Sequence, residues 1–244
     1  LIKKVYSANP RTIVVLISSF PYAINWTQQN APAIVHMTHS SQEEGNALAD
    51  VLFGDYNPGG KLTVTFPKTV GQIPYNFPTK PSAQWEGEKT RVNGALYFFG
   101  HGLSYTTFAY SNLRINPATM SVAGATATGS KGTISISCDV TNSGAREGDE
   151  VVQLYTHQLV TSVTTYEKNL RGFERIHLKA GETKTISFML NRDDLALWNR
   201  QMHFVVEPGK FKVMIGSGSE DIRLNGQFEV AVGAETRPSG RVQK

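Results

Sequence analysis

Ile134-Ser135-Ile136-Ser137-Cys138-Asp139-Val140 alternates apolar and polar side chains without a break. Successive side chains of a strand point to opposite faces, so this register puts Ile134, Ile136, Cys138 and Val140 on one buried face. The same period of two returns at Ile186, Phe188 and Leu190, at Phe211, Val213 and Ile215, and at Phe228, Val230 and Val232. Asn142-Ser143-Gly144, Ala180-Gly181-Glu182 and Pro208-Gly209-Lys210 separate the runs with residues that favour tight turns. Short strands at this spacing predict an antiparallel β-sandwich of roughly a hundred residues, placed at 111–233. Cys138 falls on the inward phase and reads as a buried core thiol.

Upstream the grammar changes. Leu1–Ala8 reads as the end of a helix stopped by Asn9-Pro10. Thr12–Ser18 is a continuous β-branched run, as in a strand buried on both faces. Ala23–Gln29 predicts a short helix and Ala33–Thr38 a second buried strand. Gln42–Phe53 predicts an amphipathic helix with Ala47, Leu48, Val51 and Leu52 inward, ended by Gly54. A capping box with Ser41 as N-cap and Glu44 at N3 would open it. Leu62–Phe66 reads as a third strand. Strand, helix, strand, helix, strand predicts a parallel α/β sheet over 1–66, only part of which is visible. The helix-interior character of Leu1–Tyr6 and the first residue, not a methionine, suggest a piece of something longer. A strand edge and a helix-facing side of the sheet are then expected to lie uncovered. Residues 67–110, rich in Pro, Gly and large aromatics such as Trp85, Tyr97, Phe99, Tyr105 and Phe108, predict a linker packed along a surface. Residues 234–244 are assigned to a tail.

Composition excludes several functions. Among 244 residues, 24 basic and 20 acidic side chains give a net charge of +4, spread without a Lys/Arg block, so nucleic acid is not an expected partner. The longest apolar run, Ile13–Ile17, is far short of the about 20 residues a bilayer span needs. One cysteine excludes an internal disulfide framework and a multi-thiolate zinc site.

Candidate chemistry is sparse. His36 and His39 lie three apart on a predicted strand and so point to opposite faces, which gives no metal site. His39 ends the second strand, before Ser40-Ser41-Gln42-Glu43-Glu44, and ligands bind at the carboxyl ends of strands in open α/β sheets. The alternative is that these polar residues only cap the helix. Gly54-Asp55-Tyr56-Asn57-Pro58-Gly59-Gly60-Lys61 has neither the spacing nor the strand-to-helix context of a phosphate loop and reads as a tight turn. Adjacent carboxylates occur at Glu43/Glu44, Asp149/Glu150 and Asp193/Asp194, with Glu86/Glu88 one residue further apart. A glycosidase needs its two carboxyl groups about 5 Å apart or more, which adjacency does not supply. Asp193 and Asp194 suit the first turn of a short helix. Glu86 beside Trp85 is a sugar-facing setting, with solvated loop acids as the alternative reading. These residues define a binding edge but no catalytic constellation.

Glu44-Gly45-Asn46-Ala47-Leu48-Ala49-Asp50-Val51-Leu52-Phe53-Gly54-Asp55-Tyr56-Asn57-Pro58-Gly59-Gly60-Lys61-Leu62 resembles a segment of glycoside hydrolase family 3. Val70–Pro74, Phe99–Phe108 with its Phe-Gly-His-Gly-Leu-Ser-Tyr core, Leu170–Glu174 and Glu207–Phe211 match the same family in the same order. Phe98 and His101 depart from it, standing where proline and tyrosine are common. The resemblance implies a β/α barrel, an α/β sandwich domain and a fibronectin type III-like domain, of which this chain would hold the end of the second and the whole third. It implies an exo-acting retaining β-glucosidase or β-xylosidase whose aspartate nucleophile and glutamate acid/base both precede Leu1, so no catalytic residue is assigned here. Implied partners are the upstream barrel, the rest of the α/β domain and an oligosaccharide; no metal or organic cofactor is expected, and the compartment is periplasmic or secreted. His39, Glu43, Trp85 and Glu86 are the substrate-proximal candidates. A rival reading is a non-catalytic carbohydrate-binding or interaction module using exposed aromatics such as Trp85 or Trp198. A third is hydrolysis by this chain alone through Glu86 or Glu43.

Overall fold

A computed structural model describes residues 1–39, 41–72, 77–81, 94–125 and 132–232. The first part runs α1 (Ile2–Ala8), β1 (Ile13–Ile17), α2 (Asn25–Asn30), β2 (Ala33–Met37) and α3 (Glu44–Phe53). β1 and β2 are parallel, with Ile13 opposite Ala33 and Ile17 opposite Met37. α3 ends on Gly54, whose left-handed φ of 86° lets its amide reach back to the Asp50 and Val51 carbonyls.

Sequence expectations fail in this part on pairing, on burial and on capping. Leu62–Phe66 is not a third parallel strand. Its backbone pairs instead with the segment after it: Leu62 N–H donates to His101 O, Gly100 N–H to Leu62 O and Phe66 N–H to Tyr97 O. Phe66 and Tyr97 form an isolated antiparallel bridge. Second, neither β1 nor β2 is a buried strand; Val14 is buried but Ile13 and Ile17 are about half exposed, and β2 has no buried residue. α3 likewise buries no residue, leaving Ala47 and Leu52 exposed and Leu48 and Val51 half-buried. Third, the helix has no capping box. Glu43 is its N-cap without a side-chain cap bond, and Ser41 takes a φ of 72°.

The second part is built from β3 (Phe108–Asn116), β4 (Thr119–Ser121), α4 (Val122–Ala125), β5 (Ile134–Asn142), β6 (Gly148–Gln158), β7 (Asn169–Leu178) and β8 (Thr183–Leu190). It closes with α5 (Arg192–Leu195), β9 (Leu197–Trp198), β10 (Phe204–Val205), β11 (Gly209–Gly216) and β12 (Ile222–Ala231). One sheet has the order β3-β5-β8 and the other β4-β12-β11-β6-β7; every pair is antiparallel except the short β4 beside β12. The core lies between them. Ile134, Ile136, Cys138 and Val140 of β5, Ile186 and Leu190 of β8, and Val213 and Ile215 of β11 are buried in it. Val232 falls outside the pattern: β12 stops at Ala231 and Val232 is exposed. α5 has the capping box that α3 lacks, with Asn191 Oδ1 accepting from Asp193 N–H and Asp194 Oδ2 from Asn191 N–H.

The segment before β3 is tied down by rings. Phe77 stacks on Phe99 at 4.5 Å and meets Tyr155 of β6 edge-on at 5.7 Å. Tyr97 touches both Phe66 and His101.

Cys138 has no solvent exposure, and burial pushes its thiol up to about 11. In native protein at pH 8 it should react with a disulfide reagent at least roughly a hundredfold slower than in denatured protein, since ionisation alone accounts for that factor. A stopped-flow comparison with and without guanidinium checks this; equal rates would place the thiol at the surface.

Candidate functional site

Loops that follow parallel strands leave the same end of a sheet, so the carboxyl ends of β1 and β2 define one edge. Ser18 closes β1 there by donating its N–H to Met37 O, and its hydroxyl turns the chain by donating to Phe20 O. Phe20 and Tyr22 of this loop are exposed. His39 follows β2 by two residues and is exposed, as is Glu43 at the N-terminus of α3, where it accepts a 2.5 Å hydrogen bond from Asn46 Nδ2. Both belong to the same strand-end loop. Trp85 and Glu86 lie outside the described residues. His36 is on β2 itself, edge-on to Phe66 at 5.1 Å, with its Nε2 buried and unpaired among the described residues. Among the described residues no group of three His, Cys, Asp or Glu could hold a metal ion.

The other polar concentration joins the loop after α3 to the sandwich. Lys61 Nζ lies 3.1 Å from Glu150 Oε1, both side chains being largely buried at 12% and 6% exposure. Each end is further satisfied, Lys61 donating to Gly102 O at 3.3 Å and Glu150 Oε1 accepting from Val151 N–H at 2.8 Å. One residue earlier, on the other face of β6, Asp149 is a hub. Its carboxylate pairs with Arg175, takes the Tyr56 hydroxyl at 3.1 Å and the His177 imidazole at 2.8 Å, while Arg175 also donates to the Tyr56 oxygen at 2.6 Å. The backbones are pressed together here. A Cβ on Gly59 would lie 2.6 Å from Asp149 Cβ, and one on Gly148 would run into the Asn57 amide. Asn57 Oδ1 accepts from Tyr105 N–H and the Ser104 hydroxyl, and its Nδ2 donates to Glu147 O.

Burial opposes ionisation of Asp149, but the hydrogen bonds from Arg175, His177 and Tyr56 outweigh it and hold its carboxyl below the usual range. The hydrogen bond to Asp149 raises the His177 pKa, with Glu147 adding to it. Asp149 and Glu150 thus serve separate structural contacts on opposite faces of a strand and do not face one cleft. Asp193 and Asp194 likewise belong to the cap of α5. Sequence reasoning named these acids but not their partners. Lys61 and Glu150 are 89 positions apart in the chain, and no local pattern signals such a pair.

The two parts have known counterparts in the same order. Residues 1–105 match the glycosyl hydrolase family 3 C-terminal domain and residues 150–219 a fibronectin type III-like domain. The chain belongs to glycosyl hydrolase family 3, as the C-terminal part of such a protein. It is 42% identical over 228 residues to a periplasmic β-glucosidase of Salmonella typhimurium, covering 89% of this chain and 29% of that relative. A β-xylosidase of Formosa agariphila is 40% identical over 223 residues, covering 90% of this chain and 30% of its own. A β-glucosidase of Listeria innocua, solved in complex with glucose, superposes with a TM-score of 0.84 at 27% identity, over 94% of this chain and 32% of that one. The chain therefore spans about three tenths of the length of the curated relatives it matches. Among the described residues no helix is long and apolar enough to cross a membrane.

Glu150→Gln should lower stability by about 3 kcal/mol, because it leaves the Lys61 ammonium buried without its counter-charge. Glu150→Gln combined with Lys61→Met should recover most of that loss. Urea denaturation of the two variants checks it; equal losses would show that the ion pair is not the relevant contact. A raised folded pKa means that the His177 contribution is complete below the unfolded value near pH 6.5 and is lost as pH rises through the folded value. The Asp149 contribution has the opposite sign, present above about pH 4 and lost as pH falls. Between pH 6 and 8.5 the wild-type melting temperature should fall more than that of His177→Gln, by no more than about 2 °C given the exposure of the imidazole. Parallel melting curves in a thermal scan would remove His177 from the joint.

Proposed function

We propose that this chain is the C-terminal portion of an exo-acting retaining β-glycosidase that releases terminal glucose or xylose from β-linked oligosaccharides. The observation that carries the proposal is the match of 89% and 90% of the chain, both parts in order, to a β-glucosidase and a β-xylosidase. The role of this portion is scaffolding. Ile13, Ile17, Phe20, Leu52 and Phe53 leave apolar surface open on the parallel sheet, its strand-end loop and α3, and Phe53 is 84% exposed. Such surface calls for a cover, and the rest of the α/β domain is its proposed occupant.

In the proposed whole enzyme an upstream aspartate carboxylate attacks the anomeric carbon while an upstream glutamate gives its proton to the departing glycosidic oxygen. Water then attacks the glycosyl-enzyme with the same glutamate as base, which restores the aspartate and retains the anomeric configuration. No metal or organic cofactor enters these steps. His39 and Glu43, at the open end of the parallel sheet, and Trp85 and Glu86 are proposed to approach the leaving-group side of the substrate. The name of the Salmonella relative favours a periplasmic or secreted location.

The purified chain should show no turnover of p-nitrophenyl β-glucopyranoside or β-xylopyranoside above buffer, whereas the full-length protein should turn over at least one. The ratio of the two kcat/KM values then identifies the sugar. Turnover by this chain alone, abolished by Glu43→Gln or Glu86→Gln, would overturn the scaffolding role.

A further inference from the structure

The β9–β10 hairpin has no part in the joint or in the open edge of the parallel sheet. Its two-residue ladder sets Trp198 directly opposite Phe204 and Leu197 opposite Val205. Partners across a ladder share a face, so the two aromatic rings lie on one face and the two aliphatic side chains on the other. Val206, immediately after β10, and Leu195 and Ala196, immediately before β9, are buried in the sandwich core. Phe204 is half-buried and packs against that core, so the ring pair is seated on the domain through Phe204 while Trp198 projects into solvent. Trp198 is 58% exposed, leaning on Phe204 at 5.3 Å with the rings tilted by 38°.

The platform is held firmly. The Arg192 guanidinium sits 5.3 Å from the Phe204 ring centre and donates to Phe204 O at 2.9 Å, and Arg192 is the first residue of the capped helix α5. At the tip, Asn199 N–H donates to His203 O and Asn199 Oδ1 accepts from Gln201 N–H and His203 N–H, all at 3.0 Å. Arg200, Gln201 and His203, the tip residues between the two rings, are exposed, and their side chains have no partner among the described residues. An indole kept in water on a braced hairpin, beside three unengaged hydrogen-bonding side chains, has the composition of a sugar-binding surface. The axial C–H faces of an all-equatorial pyranose are apolar and flat enough to lie on a ring, while its hydroxyls need polar partners around the rim. A single ring with three polar neighbours is also far below the roughly 800 Å² per partner of a stable protein interface, but it fits one to three sugar units.

We propose that this hairpin is a surface site for a neutral β-1,4-linked pyranose chain, glucan or xylan, with Trp198 as the stacking platform. The site rests on the substrate class proposed above and would hold polymer near the enzyme without hydrolysing it. Tryptophan fluorescence of the intact chain, titrated with cellopentaose and xylopentaose, should change saturably with a dissociation constant of about 1 mM. Trp198→Ala should weaken binding at least tenfold, Trp198→Phe should retain part of it, and Trp85→Ala should leave it in place. Trp198→Ala should also keep the wild-type melting temperature to within about 2 °C, the exposed ring having little to do with folding. The arm that saturates identifies the source, and dextran should give no response. No saturable response to either oligosaccharide, or one that survives Trp198→Ala, overturns the site. Aryl-glycoside turnover by the full-length protein reads the proposed function separately: turnover without oligosaccharide binding sinks only this site, and binding without turnover sinks only the hydrolase reading.

Discussion

The buried contact between Lys61 and Glu150 is the charge pair within the joint that relates the two parts of the chain to each other. Taking two opposite charges out of water costs several kcal/mol per ion, and their attraction returns it only when geometry and extra hydrogen bonds are good. Here both conditions hold, through the Gly102 carbonyl and the Val151 amide. An apolar pair of similar volume could match its stability but could slide. A charge pair with fixed secondary contacts has one satisfactory register, and that register sets where the loop after α3 lies along β6. The neighbouring glycines follow from it, since the approach of the Gly59 and Asp149 backbones leaves no room for a side chain at Gly59.

The strand expected at Leu62–Phe66 shows how the same constraint overrides a local signal. The run has the β-branched and aromatic composition of a strand, and its extended backbone needs partners. The parallel sheet and the 96–101 segment both offer them. Once Lys61 is fixed on Glu150 and Gly102, the chain is delivered beside His101 and Tyr97, and its hydrogen bonds go there. Tertiary position decided between two pairings that the sequence could not rank.

Periodicity carried the reading of the sandwich because burial in a two-sheet core imposes alternation directly on the sequence. β5, β8, β11 and β12 were legible for this reason. The strand ends were less so, since Val232 continues the alternation past the last hydrogen bond. The helix start at Asp193 and Asp194 was legible, though its Asn191 cap was not named, whereas the cap expected at Ser41–Glu44 does not form, although both have suitable residues. The difference is backbone conformation: Asn191 is extended, as a cap must be, whereas Ser41 is left-handed. At the candidate site, the position of His39 and Glu43 after β2 was legible as a strand end. The partners of Asp149 and Glu150 were not, because each lies on another element, distant in sequence, and only the fold brings it near.

The joint also explains how a β-sandwich can matter to the loop at the far end of α3. The C-terminal end of α3 is gripped from the sandwich and from the segment leading into it: Arg146 donates to Gly54 O at 2.6 Å, Tyr56 is bound into the Asp149 hub, and Tyr105, just before β3, donates to Val51 O at 2.8 Å. A helix of 10 residues is about 15 Å long and nearly rigid over that length. Fixing one end and its direction therefore places the other, where Glu43 and the loop carrying His39 lie. Among the described residues α3 has no buried side chain, so the contacts at its C-terminal end are prominent among those that set its placement. Weakening the grip would tilt the helix before it unfolded the sandwich, whose own core shares no residue with the joint. Disturbance at the joint is thus transmitted to the strand-end loop by geometry, while the stability of the sandwich is set elsewhere.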